Sequence, residues 1–520
     1  MLARLAQPVD YDLAVIGGGA SGLGVALDAA LRGLRVVLIE SIDFAKGTSS
    51  RATKLVHGGV RYLAQGNWPL VQEALHERSR LLSNAAHLAQ PLAFVVPSYS
   101  WWETPFYGVG LKAYDALAGR HGLGRTEFLS RTRTRQCLPG VNAVNLLGGV
   151  KYWDGQFDDA RLALALARSA ARAGALLVNY CEATGLIFAQ QRICGLRCRD
   201  VETGRNFELK ARCVVNATGV WVDAVRQLDQ ASGSTPVEPM VAPSQGVHLV
   251  VERDFFPGDH ALLVPKTADG RVLFAVPWLG RVILGTTDTP RQDVAREPQA
   301  FAQEVDFILG ESAKYLKKAP TRSDVKSIWV GLRPLVKPLK DEGVPTQALS
   351  REHTVLVSGS GLVSVTGGKW TTYRAMAEDV LTQCQNAGLL GDLPPSRTAH
   401  HILVGASATQ SVVASPAASL SAPPGVHLYG SEQALLETLP GNKRWLAPGL
   451  SEAMVRFAVR FEYARTVEDV LARRSRLLFL DARAAAAAAP LVAELLQDEI
   501  GQTGDLQGFL QLADQYATPP

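Results

Sequence analysis

Between Tyr11 and Glu40 the chain sets out the parts of a dinucleotide site. An apolar run, Leu13-Ala14-Val15-Ile16, breaks into Gly17-Gly18-Gly19-Ala20-Ser21-Gly22 and resumes with helical spacing. A second apolar run from Arg35 to Ile39 then ends at Glu40. Spaced in this way, Gly17 permits a tight turn, Gly19 lets the backbone approach a pyrophosphate, and Gly22 lets a helix pack close to the strand. The free N–H groups and positive end of that helix face the phosphates. Glu40, eighteen residues past Gly22, is placed to accept hydrogen bonds from an adenosine ribose. An acid there disfavours a 2′-phosphate and argues against NADP. His57 and His248 are candidates for moving a proton, because a neutral imidazole near physiological pH is a suitable acceptor. His248 is slightly preferred, and a packed histidine is the alternative for each.

The elements that must position these residues can be read by period. Strand, glycine turn, helix and strand occupy Tyr11 to Glu40, and apolar positions from Trp68 to Leu82 follow helical spacing. Pro91 to Tyr99 reads as a strand, and Asp158 to Ala173 as an Ala/Leu-rich helix with its two acids at the start. Short strands are expected near Leu176–Asn179, Leu186–Ala189, Ile193–Arg199 and Asn206–Leu209, leading into the apolar strand and small-residue turn Cys213-Val214-Val215-Asn216-Ala217-Thr218-Gly219. From Met240 to Arg333 short β-type runs alternate with turn residues and suggest an antiparallel sheet. A helix is expected from Thr371 to Asn386, an irregular Ala/Ser/Pro-rich connection from Gly391 to Gly425, and helices from Glu452 to Leu480. The alanine tract Ala484–Ala489 reads as a helix ended by Pro490.

A length of 520 residues is too great for one core, and two or three domains are expected. With 47% hydrophobic and 20% charged residues the composition is that of a globular chain. A net charge of +4 suits an anionic ligand or membrane surface, but over this length it does not imply nucleic acid. The six cysteines form no CxxC pair and no metal-ligand spacing with histidine. They read as reduced thiols, and no metal is expected. The first ten residues do not read as a signal peptide, and no run of about 18 apolar residues suggests a spanning helix. Trp101, Trp102, Phe106, Tyr107, Leu111 and Tyr114, followed by Arg120, Arg125, Arg131, Arg133 and Arg135, have two readings of equal weight: a surface helix entering a headgroup layer, or a packed core with solvated arginines.

Six separated motifs in order resemble the aerobic, FAD-dependent glycerol-3-phosphate dehydrogenases and their oxidase relatives. They are the glycine turn, Thr48-Ser49-Ser50-Arg51-Ala52-Thr53-Lys54-Leu55-Val56-His57-Gly58-Gly59-Val60-Arg61-Tyr62-Leu63, Asn216-Ala217-Thr218-Gly219, Gly331-Leu332-Arg333-Pro334-Leu335, Gly367-Gly368-Lys369-Trp370-Thr371-Thr372-Tyr373-Arg374 and Glu462-Tyr463-Ala464-Arg465-Thr466-Val467-Glu468-Asp469. Val220 stands where the family has proline, Trp370 where it has leucine, and Ala52 where it has serine.

The resemblance implies α/β plus α+β architecture: a Rossmann-like FAD-binding domain of the D-amino-acid-oxidase type, an antiparallel-sheet substrate domain and a helical C-terminal domain. The implied boundaries are 1–90, 150–240 and 345–390 for the FAD domain, 91–149 and 241–344 for the substrate domain, 391–425 for a linker and 426–520 for the cap. It implies noncovalent FAD held by Gly17, Gly19, Gly22, Glu40, Thr48, Ser49, Ser50, Lys54, Leu55, His57, Ala217, Gly219, Asp288, Gly368, Lys369, Thr371 and Thr372. Arg61 and Arg333 are implied as the phosphate-binding cations, with Tyr62 and Lys369 beside them. His248, His57 and Arg333 are the implied catalytic residues. The implied reaction is oxidation of sn-glycerol 3-phosphate to dihydroxyacetone phosphate, with electrons passing to a membrane quinone from the cytoplasmic face of the inner membrane. An oxidase using O2, an amino-acid oxidase on the same frame and a non-catalytic FAD-binding protein are the alternatives. A homodimer is left open as the assembly.

Overall fold

The computed structural model describes residues 1–59, 66–230, 238–267, 270–337, 352–407 and 419–520. Arg61 and Tyr62 lie outside them.

The first sheet runs in the order His353–Val357, Leu362–Gly367, Asn206–Asn216, Asp10–Ile16, Val36–Ile39, Leu176–Val178. From Leu362–Gly367 to Leu176–Val178 it is parallel. Strands buried on both faces read as unbroken apolar runs, which is why Leu13–Ile16 and Val36–Ile39 do not alternate. Helices Ala20–Leu31, Asp159–Arg172 and Tyr373–Asn386 cover one face. The hairpin Cys181–Ala189/Arg192–Asp200 packs over the other and pairs antiparallel with Asn206–Asn216.

The second sheet is built around Val241–Glu252 and Ser327–Val336, paired antiparallel over ten positions. Its order continues through Arg281–Gly285, Leu273–Trp278, Ala261–Val264, Ala89–Ser98, Gly148–Phe157 and Leu55–Val56. One pair departs from the expected antiparallel pattern: Ala261–Val264 runs parallel to Ala89–Ser98. The boundaries expected at 90 and 150 both fall inside paired strands, because Ala89–Ser98 is in register with Phe157–Gly148. The chain therefore returns to the first sheet only after Phe157, through the helix capped by Asp158, whose side chain accepts from Arg161 N.

The C-terminal region is helical: Glu452–Phe461, a π-type segment Asp469–Arg474, Leu477–Leu480, Ala482–Ile500 and Leu506–Ala517. Pro490 does not end its helix. Ala485, Ala488, Ala489, Val492 and Leu496 are buried, while the Pro490 ring is exposed at the solvent side. Packing of the buried face outweighs the one missing N–H. The stretch 391–425 is irregular as expected, yet its described parts are anchored, with Leu403 N bonded to Asn84 O and Leu420 N to Gln90 Oε1.

Candidate functional site

A cavity of about 1510 Å3 lies between the two sheets. Among the residues expected in the site it is lined by Gly17, Gly19, Glu40, Thr48, Ser49, Leu55, His57, Ala217, Gly219, His248, Asp288, Arg333, Gly368, Lys369 and Thr371. Gly22, Ser50, Lys54 and Thr372 do not line it.

The glycines of the first turn are sterically required. Gly17 has φ +110°, and a Cβ there would sit 2.7 Å from Ala217 O. A Cβ on Gly22 would fall 2.0 Å from Gly17 O, so this glycine serves the strand–helix contact below the cavity. Gly19 caps the helix Ala20–Leu31, and the N–H of Ala20 reaches Ser49 Oγ at 2.9 Å. Glu40 accepts from Gly18 N at 2.7 Å and Ile42 N at 3.0 Å. Burial pushes its carboxyl above the usual range, with those amides pulling the other way. Ser41 Oγ donates to it as well, at 3.1 Å, and since a carboxylate offers about four acceptor sites, one is left for a ribose hydroxyl. The turn, helix end and acid thus fit a dinucleotide.

Three links gather the other segments around this turn. Thr48 Oγ1 donates to Leu332 O at 2.5 Å, tying the segment after Glu40 to the strand of Arg333. Trp370 Nε1 donates to Ser49 O at 2.9 Å. His57 N donates to Thr371 Oγ1 at 3.3 Å, and that hydroxyl reaches back to His57 O at 3.4 Å.

The register of the second sheet brings the remaining groups together. His248 lies opposite Trp329, Gly246 opposite Gly331 and Ser244 opposite Arg333. Directly opposed residues share a face and alternate along each strand, so all six point the same way. The two glycines leave space on that face. A Cβ on Gly331 would meet Arg51 O at 2.8 Å, and one on Gly246 would sit 2.3 Å from Arg333 Nη2. The Arg333 guanidinium therefore lies over Gly246, with Nη2 donating to Thr287 O at 3.0 Å and Thr286 Oγ1 at 3.2 Å, and Nη1 to Gln245 O at 3.3 Å. Asp288, expected at the cofactor, stands 3.6 Å from Arg333 Nη1 and accepts from Ser244 Oγ. Behind this loop the buried Glu304 accepts from Thr287 Oγ1 at 2.8 Å and Thr289 Oγ1 at 2.6 Å.

His248 is buried, with its ring stacked on Trp329 at 5.3 Å and 15° and Thr53 Oγ1 2.9 Å from Nε2. Burial first, then the Lys54 and Arg333 charges, hold its pKa well below the usual imidazole range. The imidazole is neutral and able to accept a proton.

Lys54 is a correction. Its side chain turns from the cavity, donating to Ser50 O at 2.8 Å and to Asp159 Oδ2 at 2.8 Å. The left-handed φ of 65° at Lys54 accompanies this inward turn. Ser50 is likewise drawn inward, its carbonyl also accepting from Arg476. Thr372 Oγ1 turns back to Lys369 O at 3.3 Å.

Thr53, Gly246, Thr286 and Thr287 belong to the site although sequence reasoning assigned them no role. Each sits in a polar or glycine stretch beside an assigned residue, and that adjacency was the available signal. Trp329 and Glu304 gave none, since only strand pairing and tertiary packing place them.

The family model described as FAD dependent oxidoreductase matches residues 12–374, and that described as C-terminal domain of alpha-glycerophosphate oxidase matches residues 396–505. The mitochondrial glycerol-3-phosphate dehydrogenase of Rattus norvegicus is 42% identical, over 96% of this chain and 72% of that protein. Its counterpart in Saccharomyces cerevisiae is 37% identical, over 96% and 88%. Among solved structures, the glycerol-3-phosphate dehydrogenase of Bacillus halodurans complexed with FAD superposes with a TM-score of 0.76 at 28% identity, covering 99% of this chain and 97% of that one.

Proposed function

The chain belongs to the FAD-dependent glycerol-3-phosphate dehydrogenases, and from that membership we propose that it oxidises sn-glycerol 3-phosphate to dihydroxyacetone phosphate and passes the electrons to a membrane quinone. FAD is the cofactor of this family, and the turn at Gly17–Gly22 with Glu40 fits it. When bound, the flavin supplies the two-electron acceptor for hydride transfer.

The observation that carries the substrate reading is the guanidinium of Arg333 held over Gly246, on the same sheet face as His248 and at the wall of the same cavity. An arginine fork suits a phosphate of charge near −2 because it can donate two parallel hydrogen bonds. Arg333 binds the phosphate, aided by Lys369 at the cavity wall; Arg61 and Tyr62, the other residues the resemblance implies for this role, lie outside the described residues. Neutral His248 accepts the hydroxyl proton at a ring nitrogen, and Thr53 fixes the orientation of that ring. His57, stitched to Thr371 by its backbone, shapes the flavin side.

The acceptor reading rests on the cavity mouth. Trp101, Trp102, Phe106 and Val109 border the cavity and are exposed, Trp101 by 82% and Phe106 by 66%. Leu111, expected to enter the interface with them, is instead packed in the core at 3% exposure, as is Tyr114. The helix Glu103–Ala118 thus divides its residues between core and surface. Arg120, Arg125, Arg131, Arg133 and Arg135 are exposed nearby in sequence, and among the described residues no helix is long and apolar enough to cross a membrane. An amphipathic surface of this kind suits peripheral attachment on the cytoplasmic face of the inner membrane, where a lipid-soluble quinone is reached without a spanning segment.

The test is the product and acceptor balance. With sn-glycerol 3-phosphate and a short-chain quinone under argon, dihydroxyacetone phosphate and quinol should form in equal amounts. Turnover with O2 alone, giving peroxide at a similar rate, would make the protein an oxidase.

A further inference from the structure

Lys54 carries a buried charge that the reaction proposed above does not use. The ammonium is fully enclosed and bonded to Asp159 Oδ1 and Oδ2 at 3.0 and 2.8 Å. Asp159 is shared with Arg476 of the C-terminal region, whose Nη2 lies 3.1 Å from Oδ1. Arg476 is itself in a left-handed conformation, φ 64°, and reaches Ser50 O at 2.8 Å. Three separate parts of the chain therefore meet at one carboxylate: the segment after the dinucleotide turn, the first turn of helix Asp159–Arg172, and the cap.

Lys54 Nζ also sits against three aromatic rings, 5.2 Å from the centroid of Trp329, 5.3 Å from Trp278 and 5.4 Å from Phe479. Trp329 is the ring on which His248 stacks, and Thr53, next to Lys54 in the chain, is the residue bonded to His248 Nε2. The ammonium thus acts on the imidazole in two ways. It fixes Trp329 and the backbone at Thr53, and it sets a positive charge behind a buried ring. A fixed ammonium–aromatic contact is stabilising, while an unpaired buried cation would be unfavourable. The Asp159 carboxylate is what allows the charge to stay.

We propose that Lys54, clamped by Asp159 and Arg476, is a positioning residue that keeps His248 seated on Trp329 and neutral. The assignment of a role in proton transfer rests on His248 being the base. The charged groups acting on His248 are Lys54 and Arg333, and those acting on Lys54 are Asp159, Arg476 and Asp158. Burial brings Lys54 down to about 7 against the pull of Asp159, so its charge is present on the acid side, where His248 would otherwise protonate.

The experiment uses the FAD-loaded protein with 13Cε1-labelled histidine, following the His248 resonance against pH and assigning it with His248→Asn. Lys54→Met should raise the pH at which the imidazole titrates by about one unit, the low end of what a neighbouring charge does. Lys54→Arg, which keeps the charge, should restore the wild-type titration. Because the apolar variant leaves Asp159 with Arg476 as its remaining cation, the double variant Lys54→Met/Asp159→Asn is measured beside it and should also show an upward shift. An unmoved titration in a folded variant lacking the lysine charge, or loss of FAD and fold in both, would overturn the proposal. The acid limb of anaerobic flavin reduction by sn-glycerol 3-phosphate should move with the resonance. If the resonance moves and the acid limb does not, the Lys54 assignment stands and the base reading falls.

Discussion

Replacing Gly246 with alanine separates the guanidinium of Arg333 from everything else the site does. The new methyl would fall 2.3 Å from Arg333 Nη2, 2.8 Å from its Cζ and 2.7 Å from Thr286 Oγ1. The two Arg333 atoms belong to the end of a long side chain, so the fold can relax by swinging the guanidinium aside while the strand pairing of Gly246 with Gly331 is kept. What is lost is the bracing from Thr286 and Thr287 and, with it, the placement of the fork. A hydrogen bond to a charged group contributes about 1.5–3 kcal/mol, which is about 10- to 150-fold in a dissociation constant. Titration of the oxidised protein with glycerol 2-phosphate as a dead-end ligand should show that loss, with FAD content unchanged and Tm nearly so. Anaerobic flavin reduction should need correspondingly higher sn-glycerol 3-phosphate, whereas reduction by glycerol should change little. Unaltered phosphate affinity would refute the assignment of Arg333. Loss of FAD would show that this strand serves the cofactor.

Gly19→Val should abolish FAD retention, because a Cβ there would stand 3.0 Å from Ser49 Oγ and the branched methyls would reach further into the turn; an unchanged ratio of flavin to protein absorbance would reject the dinucleotide reading. Glu468→Gln should cost about 3 kcal/mol at neutral pH, since Glu468 accepts from Lys46 at 2.6 Å and Arg473 at 2.5 Å where the cap meets the segment after Glu40. The folded-state pKa of Glu468 is depressed by these cations against the opposing effect of burial, so its stabilisation is present above the ordinary carboxylate range and lost as pH falls through the folded value. Denaturant unfolding at successively lower pH should therefore bring variant and wild type together, and a constant gap would contradict the linkage. Wild-type protein should float with anionic liposomes, less so at high salt, while a Trp101/Phe106/Val109 to Ser variant should float far less. Equal flotation would reject the surface helix as an anchor.

The first sheet was legible because its signals are local. The glycine spacing, the buried apolar runs and the acid at Glu40 all lie within about thirty residues, and the structure assembles them at one cavity wall. The second sheet was less so. Nothing near residue 90 or residue 150 announces that Ala89–Ser98 will pair with Gly148–Phe157, and the expected boundaries consequently cut both strands. Pro490 misled because a missing N–H is a local cost that a buried helical face outweighs. Leu111 misled because a helix with aromatics on two sides does not say which side is wet. Lys54 was drawn toward the cofactor by its neighbours in the motif, whereas its partner Asp159 and the rings of Trp278, Trp329 and Phe479 lie more than a hundred residues away. His248 and Arg333 were recognisable one at a time, but their common face follows from strand register alone.

The most direct test of the central claim is anaerobic mixing of the purified yellow protein with sn-glycerol 3-phosphate while the flavin absorbance is followed. Prompt bleaching is expected, severely slowed in Arg333→Ala and in His248→Asn, with dihydroxyacetone phosphate formed in equal amount to the flavin reduced. A flavin that dithionite bleaches but sn-glycerol 3-phosphate leaves oxidised would contradict the claim.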